Sequence, residues 1–148
     1  MTEQNDEGRG GDQPAENGDG DDKERLSDQL GSEVETQLVE WQSTIGRDGI
    51  RQKVMEAYWP GGTQVELLQW MVARTEKYQG LIKTAQDKGQ LYPWIVPYPA
   101  ACLFESMFQA CVGVWLVAGE PDQPDKLSPS VKDYVSFQAR TFGAMVGS

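Results

Sequence analysis

The most apolar stretch of the chain lies between residues 90 and 118. In its second half, residues 100–118, the large apolar side chains cover more than half the circumference of a helix. Such a helix packs at the centre of a bundle, so we expect residues 100–118 to be the core helix. The remaining sector is predicted to form a buried polar seam, made of Cys102, Glu105, Ser106 and Gln109.

A membrane span is the alternative for this segment, because its length and composition also suit a bilayer. Two observations favour a soluble helix. Glu105 and Gln109 lie on one face inside it, and no Lys or Arg stands between Lys88 and Lys126 to anchor it at a headgroup layer.

Periodic apolar positions predict two short helices near the start of the folded region. The first covers residues 32–45, with a capping box from Ser32 to Glu35 and an apolar stripe of Val34, Leu38, Trp41 and Ile45. Residues 26–31 before it could add a loosely held turn. The second opens at Asp48-Gly49 and ends at Pro60-Gly61-Gly62, with Trp59 folded back over the turn.

The longest periodic segment covers about residues 64–88, ahead of Gly89 as its C-terminal cap. Its heptad-like stripe consists of Leu68, Met71, Thr75, Tyr78, Ile82 and Ala85. The apolar stripe of this helix could be covered within the chain or by a second copy.

A last helix is predicted over residues 128–146, with Ser128 as N-cap and Pro129 at the first position. No strand is predicted, so the fold class is a small all-α bundle of four or five helices.

Residues 90–99 are predicted to form an extended strap, because Pro93, Pro97 and Pro99 each remove a backbone donor. The strap either covers one side of the bundle or presents a rigid aromatic surface to a partner. The candidate partner-contact residues are Tyr92, Trp94, Ile95, Tyr98, Trp59 and Trp70.

Acidic residues are concentrated in the N-terminal segment. Residues 1–28 hold ten Asp and Glu against three Lys and Arg, which gives −7 of the total charge of −10. With few large apolar side chains, this segment is predicted to be a disordered acidic tail, and residues 29–148 a single helical domain. Residues 119–127 are predicted to be an exposed linker between the last two helices.

Nucleic acid is not expected as a partner, because the basic residues of the domain are scattered among acidic ones.

The start of the chain has no secretory-signal pattern, so a cytoplasmic location is expected, with an assembled viral particle or a membrane as alternatives. Cys102 and Cys111 are predicted to be small buried side chains rather than a disulfide pair.

The sequence offers little for catalysis. There is no histidine and no Walker-type glycine loop, so we expect no metal, no cofactor and no enzymatic activity. Glu105 is the one candidate acid or base, if a raised pKa kept it protonated. The favoured interpretation is that Glu105 pairs with a basic side chain such as Arg74 or Arg140.

The sequence therefore predicts a non-enzymatic structural or assembly protein that binds itself or another protein, for example in a virus or phage particle. A surplus of large apolar residues, including five tryptophans, supports this hypothesis. The alternatives are a membrane-associated protein that inserts residues 100–118, and a ligand-binding protein or enzyme that uses Glu105.

Overall fold

A computed structural model of the chain describes residues 24–58, 65–118 and 123–148. These residues form five helices and no strand, which confirms the all-α bundle. The helices are α1 (Leu26–Thr44), α2 (Gly46–Tyr58), α3 (Val65–Asp87), α4 (Pro97–Val117) and α5 (Pro129–Val146). Most of the predicted acidic tail lies outside the described residues, as do Trp59 and the Pro60-Gly61-Gly62 break.

Helix α4 occupies the centre of the bundle and contacts each of the other four helices. The ring of Phe104 lies 4.8 Å from that of Tyr78 in α3 and 5.0 Å from that of Phe142 in α5. Further along α4, Phe108 and Trp115 pack against Trp41 of α1. The predicted role of this segment as the core helix is confirmed on its inner side.

The start of α4 differs from the prediction, because the helix begins at Pro97 rather than after Pro99. Both prolines lie in the first turn, where backbone N–H groups have no intrahelical partner, so neither proline costs a hydrogen bond. The strap is therefore restricted to residues 90–96. It is not extended throughout as predicted, because the Ile95 N–H donates to the Tyr92 carbonyl at 3.2 Å and closes a turn at Pro93 and Trp94. Val96 is the N-cap residue, and the helix ends at Val117.

Helix α1 begins at Leu26, so the predicted tail boundary at residue 28 and the capping box at Ser32 are wrong. Leu26 and Leu30 extend the apolar stripe backwards and are completely buried. Ile45 is the partly exposed C-cap instead of a core residue. Gly46, at φ +81°, marks the break after α1 and already begins α2.

The α3 terminus matches the predicted glycine cap. Gly89 has φ +75°, its N–H donates to the Gln86 carbonyl at 2.9 Å, and the Gln90 N–H donates to the Ala85 carbonyl at 3.0 Å. These two bonds form a Schellman motif. They satisfy two carbonyls at the end of α3 and turn the chain into the strap.

The connection from α4 to α5 is held by Gln42 of α1. Its side-chain amide donates to the Pro124 and Lys126 carbonyls at 2.9 and 2.7 Å, and its oxygen accepts from Trp115 Nε1 at 3.0 Å. Residues 123–126 are exposed, as predicted, but Leu127 is buried, so the predicted linker ends before it. Ser128 is the N-cap residue of α5, although its side chain makes no capping bond.

Candidate functional site

Glu105 of α4 forms a buried ion pair with Arg74 of α3. Arg74 Nε and Nη2 donate to the two carboxylate oxygens at 3.0 and 2.7 Å, and Gln109 Nε2 donates to Oε2 at 2.7 Å. The guanidinium carbon lies 4.2 Å from the Phe108 ring centroid and 5.6 Å from that of Trp41. Of the two predicted partners, Arg74 is the one that pairs with Glu105.

The arrangement around Glu105 favours a structural role for the carboxylate. Its side chain is 5% exposed and that of Arg74 is 11% exposed, so both charges are held away from bulk water. Three hydrogen bonds donated by Arg74 and Gln109 fill most of the acceptor positions of the carboxylate. A pair of this kind joins α3 to α4.

The predicted polar seam is buried only at Glu105. Cys102, Ser106 and Gln109 are exposed, because they lie on the outward side of α4 where no other helix covers them. Ser106 Oγ donates to the Cys102 carbonyl at 3.3 Å, which is a local bond within the helix. The prediction of a buried seam is therefore wrong for these three residues, and Cys102 is not the buried small side chain that we expected.

Cys111, unlike Cys102, is buried in the core. Loss of hydration on burial raises the pKa of its thiol from an ordinary value of 9.0 to about 12. Burial, followed by the nearby Glu105 charge, also raises the pKa of the Tyr78 phenol above its usual value of 10.0. Both groups stay neutral in the folded protein where the unfolded chain would ionise.

These shifts predict a loss of stability at alkaline pH. Between pH 9.0 and about 12 the unfolded chain has released the Cys111 proton while the folded chain retains it. The free energy of unfolding should therefore fall as pH rises, by at most about 1.4 kcal/mol per pH unit for one group. In Cys111→Ala the decline should begin nearer pH 10, where Tyr78 starts to contribute. Urea unfolding between pH 7 and 11 tests this, and identical pH profiles for both proteins would contradict it.

The strap is fixed to the bundle through its backbone and two apolar side chains. Leu91 and Ile95 are buried, Gln86 Nε2 donates to the Ile95 carbonyl at 2.7 Å, and the Tyr92 N–H donates to the Val146 carbonyl at 3.0 Å. A Cβ atom at Gly147, which has φ +94°, would lie only 2.9 Å from the Tyr92 ring. The strap and the end of α5 therefore pack closely together.

The strap directs the other side chains outward. The rings of Tyr92 and Trp94 stack at 5.8 Å between centroids with an interplanar angle of 10°. Four side chains, which we call the strap face, are about half exposed or more: Tyr92 at 48%, Trp94 at 69%, Val96 at 61% and Tyr98 at 55%. The strap face lies between Lys88 and Glu105 in sequence, where no charged residue occurs.

Three of the predicted contact residues do not belong to the strap face. Ile95 is 8% exposed and contributes to the core, so its prediction as a contact residue is wrong. Trp70 is partly buried, with its ring 5.6 Å from that of Trp41 and the Lys53 ammonium above it. Trp70 therefore packs mainly within the bundle, and Trp59 lies outside the described residues.

Sequence patterns did not predict a groove between α3 and α4, of about 310 Å³. Leu68 and Val72 of α3 and Tyr98 of α4 form part of its wall. The α4 side is lined by all four residues of the predicted polar seam: Cys102, Glu105, Ser106 and Gln109. A side-chain hydrogen bond between Tyr98 and Cys102 raises the pKa of the Tyr98 phenol. Leu68 is 52% exposed although its heptad position predicted burial, so the packing between α3 and α4 does not cover it.

Two arginines of α2 bind the C-terminal end of α4, which sequence analysis did not predict either. Arg47 Nε donates to the Trp115 carbonyl at 2.9 Å, with its guanidinium 5.5 Å from the Trp115 ring centroid, and Arg51 donates to the Leu116 carbonyl. Positive charge at a helix C-terminus is favourable. The sequence showed only that these two residues are positively charged. It could not show which groups they bind, because the Trp115 and Leu116 carbonyls lie far away along the chain.

Within the described residues, no group of three or more Cys, Asp or Glu side chains is arranged to hold a metal ion. Helix α4 is the one described helix that is long and apolar enough to cross a membrane, and 39% of its most apolar 18-residue segment is buried.

No protein-family model, curated protein or solved structure matches the chain.

Proposed function

We propose that this protein has a structural or assembly role, without enzymatic activity, and that it acts by binding a protein through the strap face. The observation that supports this proposal is the exposure of Tyr92, Trp94, Val96 and Tyr98 on one short uncharged segment. Using typical side-chain areas, their exposed surface is on the order of 500 Å². A patch of this size on a monomer is often an interaction site.

The fixed backbone of the strap also favours binding. The hydrogen bonds from Gln86 and to Val146 hold the segment in place before any partner arrives. The Tyr92 and Trp94 rings have few rotatable bonds, and their mutual stacking restricts them further. Because this order exists in the free protein, little conformational entropy is lost on association.

The other two hypotheses have less support. Glu105 lines the groove between α3 and α4, which favours a role in ligand binding, but its side chain is only 5% exposed and accepts three hydrogen bonds from Arg74 and Gln109. Membrane association through residues 100–118 is favoured by the apolar composition of α4. However, the inner side of α4 packs against the other helices, so insertion would require the core to open.

Site-specific photo-crosslinking in the producing cell tests the proposed function. With p-benzoylphenylalanine in place of Trp94, we expect a discrete crosslinked product between this chain and a second polypeptide. Phe137 of α5 is a matched control, because it is an aromatic residue of similar exposure, 60% against 69%, outside the strap. The proposal fails if position 94 gives no discrete product, or if position 137 gives the same one.

A further inference from the structure

The outward side of α4 carries no charged residue. Glu105 is the only charged residue of this helix and it points inward to Arg74. The exposed positions include Cys102, Leu103, Ser106, Ala110, Gly113 and Val117. A helix on the surface of a soluble protein normally presents charged side chains to water on its outer side. This uncharged surface, which we call the outer face of α4, therefore suggests that another molecule covers it.

A ridge on α3 runs beside the outer face of α4. Leu68 and Val72 are one helical turn apart, are 52% and 57% exposed, and line the groove on the α3 side. On the α4 side the groove is lined by the small side chains of Cys102 and Ser106 together with Tyr98, Glu105 and Gln109. The surface thus combines a raised apolar ridge with an adjacent depression.

We propose that a second copy of this chain covers the outer face of α4 in a two-fold symmetric dimer. In this arrangement the Leu68 and Val72 ridge of each copy fills the groove of the other. A two-fold interface requires one surface to be complementary to itself, and a ridge beside a depression satisfies that requirement. Small residues along α4 let the two copies of the helix approach closely.

The area of this surface agrees with a dimer. Helix α4 has 21 residues, which corresponds to about 30 Å of length. Together with the α3 ridge, the surface covers on the order of 600 Å², against roughly 800 Å² per partner in a typical stable complex. We therefore expect a dimer of moderate affinity.

The charges near this surface favour an uncharged partner surface. Glu76 and Glu105 line the groove, but Arg74 forms an ion pair with Glu105, and the exposed positions on the outer face of α4 carry no charge. A strongly basic or acidic partner would therefore find little opposite charge here, whereas a second copy presents an equally uncharged face.

The dimer rests on the proposed function because it names the partner of one surface. Of the four strap-face residues, Tyr98 also lines the groove, so the two surfaces meet at this side chain. The test of the dimer is accordingly a substitution that leaves the strap untouched. Gly113 and Gly80 are both helical, exposed glycines, and a Cβ added at either would meet no atom within 4 Å. Gly113 lies on the outer face of α4, whereas Gly80 on α3 does not line the groove.

Light scattering after size exclusion should show the full-length chain approaching twice its 16.5 kDa mass as its concentration rises to on the order of 100 µM. Gly113→Arg should weaken the dimer roughly tenfold or more, because a guanidinium would be buried without a partner. Gly80→Arg should dimerise like the wild type. Maleimide labelling gives a second measurement, since Cys102 is exposed in the monomer and should become protected as the dimer forms.

A strictly monomeric wild type would overturn the inference, as would a dimer that Gly113→Arg leaves intact. A monomer that floats with neutral phosphatidylcholine vesicles, and loses this binding in Gly113→Arg, would also overturn it, in favour of a membrane surface. In any of these cases, a discrete crosslink at position 94 that is absent at position 137 would still support the proposed function, so the two failures are distinguishable.

Discussion

Replacing Trp115 with alanine is expected to lower the free energy of unfolding by about 4 kcal/mol. Trp115 is completely buried, packs against Trp41, and donates its indole N–H to Gln42. The substitution leaves a large cavity at the centre of the bundle and also removes one partner of Gln42. Urea denaturation monitored by far-ultraviolet circular dichroism measures the difference.

Trp94→Ala is the control for this prediction. Trp94 is 69% exposed, so its removal should change the free energy of unfolding by well under half as much as the loss of Trp115. Comparable losses for the two variants would contradict the central position of α4, because they would mean that the buried tryptophan contributes no more than the surface one.

The second large effect concerns the ion pair between α3 and α4. Glu105→Leu should lower the free energy of unfolding by about 3 kcal/mol, because it leaves the Arg74 guanidinium largely buried without its counter-charge. The same denaturation measurement applies.

Arg74→Met combined with Glu105→Leu is the informative partner variant. Replacing both charges with apolar side chains of similar size removes the unpaired charge, so the double variant should recover to within about 1 kcal/mol of the wild type. If it is as unstable as Glu105→Leu alone, the lost stability comes from packing and from the Gln109 contact, and not from an uncompensated charge.

Much of the helical architecture could be predicted because it depends on local patterns. The apolar periodicity of Tyr78, Ile82 and Ala85, and the glycines at positions 46 and 89, determine where α3 packs and where two helices end. The start of α1 could not be predicted in this way. Leu26 and Leu30 stand among polar residues, and they are helical because α5 provides an apolar surface for them to pack on.

The candidate site was predictable only where chemistry restricts the choices. A carboxylate within an apolar helix needs a basic partner, and few arginines were suitable, so Arg74 could be proposed for Glu105. The groove was different, because the exposure of Leu68 and Cys102 depends on which part of α3 is covered by α4. Helical periodicity gives the side of a helix on which a residue lies, but not whether a neighbour extends far enough to cover it.

The contact between Tyr92 and the end of α5 has a practical consequence for the choice of expression vector. The Tyr92 N–H bonds to the Val146 carbonyl, and Gly147 lies against the Tyr92 ring. A purification tag fused after Ser148 would therefore emerge next to the exposed aromatic rings and could block whatever docks there. The start of α1 lies at this same end of the bundle, because a Cβ atom at Gly143 would lie 3.0 Å from Ser27.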